Sequence, residues 1–71
     1  MTYEAEAEAW LIERDRIADE WICKHPVAFK ELATFATLTY HGQLGGFRRR
    51  MALLQQLAAD AAGMPPFRAA A

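Results

Sequence analysis

At 71 residues, with 54% hydrophobic letters and a formal net charge of -1, the chain has the length of one small domain, with no room for a second. A chain this short buries only about 60% of the surface that its unfolded form exposes, so its core is marginal unless something else contributes. The single cysteine, Cys23, excludes an intrachain disulfide and fits a reducing compartment, which leaves oligomerisation as the accessible route to extra stability.

Ser and Asn are absent, Val occurs once and Ala fills 15 positions, so helix formers abound and strand formers are scarce. The expected fold is all-α: a small bundle of two to three helices over about 3–24, 26–41 and 47–62, within one domain spanning 1–68. Arg outnumbers Lys six to two, which together with the alanine excess points to a GC-rich coding sequence and a bacterial or phage source. Ala69-Ala70-Ala71 is set apart as a vector-derived tail. The start, Met1-Thr2-Tyr3-Glu4, lacks the basic and apolar runs of a secretory signal, and no stretch has the roughly 20 apolar residues of a membrane span. The expected location is cytoplasmic, in a bacterium or, for a phage-encoded chain, in its host.

Thr2 is placed to cap a first helix whose opening turns carry Glu4, Glu6 and Glu8, where the positive end of the helix dipole favours carboxylates. Pro26 disfavours a helical His25 and suits the first position of the next helix. At 100° per residue, Tyr3, Ala7, Trp10, Leu11, Ile17, Ala18, Trp21 and Ile22 share one stripe, with Arg14 in its middle. Such an arginine either snorkels past the apolar face or pairs across an interface.

The second helix is two-faced. Phe29, Leu32, Ala33, Ala36 and Tyr40 form one apolar stripe, Val27, Phe35 and Leu38 lie opposite, and no Asp, Glu, Lys or Arg occurs from Leu32 through Phe47. One small core cannot bury both sides, and a face left over marks association, first of all a homodimer. Gly42 is the expected terminator, and Gln43-Leu44-Gly45-Gly46 a turn into a third helix with the stripe Phe47, Met51, Leu54, Ala58 and Ala61. Gly63, Pro65 and Pro66 end it. The expected arrangement is antiparallel, with the first and third helices packed around the second. Trp10, Arg14, Trp21, Phe35 and Leu38 are the expected dimer contacts, because aromatic and arginine side chains dominate interface energies.

No residue set points to catalysis. Cys23 and His25 are two apart and point in different directions on a helix, Cys23 reads as a packing residue, and the spacing of Cys23, His25 and His41 fits no structural zinc site. No catalytic residue, metal or cofactor is therefore expected. The informative feature is Gly45-Gly46-Phe47-Arg48-Arg49-Arg50. Three arginines at a helix N-terminus oppose the dipole, so local energetics does not account for them. They form an anion-binding surface whose counterpart is a phosphate backbone, a partner's carboxylates or the chain's own first helix, which carries -4 over residues 1–25 against +3 over 26–71.

Tyr40, Arg48, Arg49 and Arg50 are accordingly the expected partner-binding residues, with Gln55 and Gln56, which share the outward face of the third helix with the arginines. Arg and Gln also read guanine and adenine edges, so a dimeric helix-turn-helix-like transcriptional regulator is the alternative. The net charge and a sequence pI near 6.0 weigh against nucleic acid.

In size and helical character, and with the Gly45-to-Arg50 run compatible, the chain resembles the small helical proteins by which bacteriophages disable host machinery, such as quorum-sensing anti-activators and anti-CRISPR proteins. The resemblance implies a non-enzymatic inhibitor, acting as a monomer or as a dimer. It would bind a host regulatory protein, such as a transcription factor, and block that protein's contact with DNA or another component.

Overall fold

The computed structural model describes residues 2–40 and 46–68. It is all-helical across them, with α1 over Tyr3–Lys24, α2 over Pro26–Tyr40 and α3 over Gly46–Ala61. The expected spans agree to within a residue at each observed boundary, the ordinary play of helix ends. Gly42, the expected turn residues 43–45, His41 and the tail 69–71 lie outside the described residues.

The local signals act as their chemistry dictates. Thr2 is extended, and its hydroxyl oxygen accepts from the Ala5 amide at 3.2 Å, while Glu4 and Glu6 occupy the first turn. A single residue, His25, separates α1 from α2. Its amide donates to the Trp21 and Ile22 carbonyls, and its own carbonyl accepts from Phe29, so one residue closes the first helix and opens the second with Pro26 in place. At the far end Gly63 takes φ +90°, the left-handed conformation open to glycine. The Gly63 amide donates to Asp60 and the Met64 amide to Ala59, the pair of bonds that defines a Schellman closure.

Packing departs from the expected order. The central helix is α3: it packs along both α1 and α2, which barely touch each other. The physical reason is residue size. Ala18, Ala58 and Ala59 are fully buried together, and such small side chains let α1 and α3 approach closely. Trp21, Ile22, Leu32 and Met64 pack around that contact. Among the described residues the remaining buried apolar side chains are Ala36 and Leu54, so Leu54 is the one large residue in this core.

The result is a slab measuring 37 × 31 × 14 Å. Its radius of gyration is 13.2 Å, against about 11 Å for a close-packed domain of this length. Its accessible surface is 5344 Å², about 900 Å² above the roughly 4,450 Å² expected for a monomer of this mass.

On the outer side of α1, Arg16 donates to Glu13 and Glu20, and Lys24 donates to Glu20 at 2.9 Å. The Arg16 hydrogen bond holds the Glu13 carboxyl below its ordinary value, and the Lys24 bond does the same for Glu20. A carboxyl whose folded-state pKa lies below its unfolded value adds stability above that unfolded value and loses it as pH falls through the folded one. Helicity is therefore expected to be constant above the ordinary carboxylate value of 4.5 and to decline below it, to a small extent because these pairs are exposed. Circular dichroism during an acid titration reads this directly.

Candidate interaction surface

Of the residues expected to form a site, Arg48 and Arg49 project from the first turn of α3 and are exposed. Among the described residues neither has an ion-pair partner. Arg50 is half-buried, its guanidinium 5.4 Å over the Phe47 ring, and Phe47 is itself 67% exposed. Among the described residues no carboxylate of α1 forms an ion pair with these arginines, and Glu13, Asp15 and Glu20 pair with Arg14, Arg16 and Lys24 of α1 itself. Tyr40 is half-buried at the end of α2, ahead of the segment outside the described residues.

The two glutamines are engaged elsewhere. Gln55 is half-buried and donates 3.4 Å to Asp19 across the α1/α3 seam, its carbonyl oxygen enclosed and without a partner. It lies within about 20° of Arg48 on the helical wheel, two turns further along α3, where that side of the helix meets α1. Gln56 donates to Asp60 one turn later at 2.8 Å.

The expected dimer contacts divide into two groups. Trp10, Arg14 and Trp21 are half-buried and occupied within the chain. Arg14 lies 5.7 Å over the Trp10 ring and donates to Asp15 at 3.1 Å, so its charge is met by the next residue in sequence. Trp21 packs against the core and against the His25 ring at 5.0 Å. Phe35 and Leu38, by contrast, are 55% and 74% exposed, and Val27 on the same side is 73% exposed.

A contact that periodicity could not announce closes the other end. After Gly63 the chain turns back along α1, and the Phe67 ring meets Tyr3 edge-on at 5.5 Å and Trp10 at 5.9 Å. Met64 through Arg68 and the Glu6, Ala9 and Trp10 side of α1 frame an open, largely apolar cleft of about 630 Å³.

Cys23 is exposed, which corrects its reading as a packing residue. Among the described residues no three His, Cys, Asp or Glu side chains gather in a way that could hold a metal ion, and no helix is long and apolar enough to cross a membrane. No family model, no curated protein and no solved structure matches the chain.

Proposed function

We propose that this chain is a non-enzymatic protein-interaction module, homodimeric and working in the cytoplasm. On this reading it is an inhibitor of the anti-activator kind, which binds a host regulatory protein and covers the surface that meets DNA or another component. The observation that carries the reading is the exposed pair Arg48 and Arg49 at the start of α3. Guanidinium groups at the positive end of a helix are locally unfavourable. With α1's own bases taking up Glu13, Asp15 and Glu20, nothing described within the chain compensates them. A set of donors kept against local energetics suits planar recognition of carboxylates on another protein.

The alternative, a helix-turn-helix-like regulator, needs polar side chains free to reach base edges. Gln55 and Gln56 are already bonded to Asp19 and Asp60, which favours the protein-binding reading.

The test is affinity capture from bacterial lysate, nuclease-treated and untreated, with an Arg48→Ala/Arg49→Ala/Arg50→Ala variant beside the native chain. A discrete protein that survives nuclease and is lost with the variant is the expected result. Recovery of nucleic acid alone, with the steep salt dependence of phosphate contacts, would establish the regulator instead.

A further inference from the structure

We infer that the uncovered start of α3, where Phe47 and Met51 lie between the Arg48 and Arg50 guanidinium groups, takes an acidic segment of a partner protein that seats a large apolar side chain among its carboxylates. The inference rests on the interaction-module reading and specifies the chemistry of the partner at that same arginine site.

Helical geometry gathers the surface. The order around α3 is Arg50, Phe47, Met51 and Arg48, within an arc of about 160°, and Arg49 follows about 100° beyond Arg48. The middle of this arc is the apolar stripe of α3 before it enters the core. Leu54 and Ala58, farther along the same side, are buried, whereas Phe47 is 67% and Met51 39% exposed. The stripe thus continues past the point where the other helices cover it.

Charge selects the occupant. The first two turns of α3 hold three guanidinium groups and no carboxylate, and the one acid of the helix, Asp60, lies in its last turn and accepts from Gln56. On α1, Glu13, Asp15 and Glu20 are paired with bases of that helix and Asp19 accepts from Gln55. Among the described residues no ion pair joins Arg48 or Arg49 to either neighbouring helix. Carboxylates of a partner supply the missing countercharge, and the planar fork of arginine matches them.

The exposed ring selects against a bare polyanion. Arg50 lies over Phe47 at 5.4 Å, which fixes a cation beside the ring, and Met51 one turn on adds an adaptable thioether. An apolar side chain set on Phe47 and Met51 leaves water, while the guanidinium groups stand at its edge. That is the apolar centre and polar rim of a protein interface. A purely acidic chain would leave the centre unused.

Selection of random displayed peptides against the immobilised full chain tests this, with the recovered peptides then measured in solution by fluorescence anisotropy. Recovered sequences are expected to place a Phe, Trp, Leu, Ile or Met among several Asp or Glu residues. Their binding is expected to weaken at least about tenfold with Phe47→Ala and with Arg48→Ala/Arg49→Ala, as for lost interface anchors. It is expected to be unchanged with Val27→Ala, 73% exposed at the far end of α2. Phe47→Leu, which keeps apolar bulk, is expected to retain most of the binding, and circular dichroism checks that each variant keeps its helices. Acidic sequences without apolar residues, bound equally well by Phe47→Ala, would overturn the inference and leave the arginine site standing. A fluorescein-labelled oligothymidylate bound more tightly than any peptide would overturn it in favour of nucleic acid, and enrichment of basic or neutral peptides, or of none, would overturn it outright. Peptides whose binding ignores the arginine variant would also remove the residues on which the module reading stands, so the two fail distinguishably.

Discussion

Leu54→Ala is expected to destabilise the chain by about 2–5 kcal/mol, the largest loss of any single truncation in its core. Among the described residues Leu54, 5% exposed, is the one large side chain of the buried apolar set, and the others are alanines that have nothing further to give. Truncating a buried leucine removes about 2–5 kcal/mol, through lost transfer energy and the cavity left behind. For 71 residues the whole of the stability is about 3.5–10 kcal/mol, so one substitution consumes between a fifth of it and all of it. Position matters as much as size: Leu54 lies on α3, the helix that joins α1 and α2, so a cavity there loosens contacts on both sides. Urea titration followed by circular dichroism reads the effect. A midpoint unchanged from the native chain would mean that the core lies elsewhere.

Replacing Arg48, Arg49 and Arg50 together by alanine is expected to move stability and binding in opposite directions. Removing the Arg48 and Arg49 guanidinium groups from the first turn of α3 relieves an unfavourable dipole interaction of about 0.3–1 kcal/mol each, and alanine is the better helix former. The triple variant should therefore melt no lower than the native chain. Partner capture should fall at least a hundredfold, since interface arginines at hot spots contribute about 2 kcal/mol or more each. Arg50 tempers the gain in stability because it also packs over Phe47. A variant that unfolds would instead make the cluster structural, and one that folds and still captures its partner would remove the arginines from the site.

Much of the fold was legible in the residues, because caps and breakers act locally. Thr2, Pro26 and Gly63 each set a helix end through a bond or a dihedral within a few positions. The two-sided character of α2 was legible as well, since spacing alone separates Ala36 from Val27 and Leu38. Helix order was not. High apolar content in α2 suggested a central position, whereas close approach is decided by small side chains, and Ala18, Ala58 and Ala59 made α3 the centre. The contact of Phe67 with Tyr3 and Trp10 went unread because an extended segment after a helix carries no periodicity to betray its partner. In the candidate site, the anomaly of Arg14 and of the arginine cluster stood out from sequence. That Asp15 would meet Arg14 and that Asp19 would take Gln55 depended on rotamers and on the α1/α3 seam, which spacing does not encode.

The central claim is that this chain is a homodimeric interaction module, its small core stabilised by association. The most direct measurement is the thermal midpoint of the native chain across a hundredfold range of protein concentration. Mass action requires the midpoint of a folded dimer that unfolds to single chains to rise with concentration, and that rise is the predicted result. A single midpoint at every concentration, together with a cooperative transition, would mean that the monomer is stable alone, and would contradict the account.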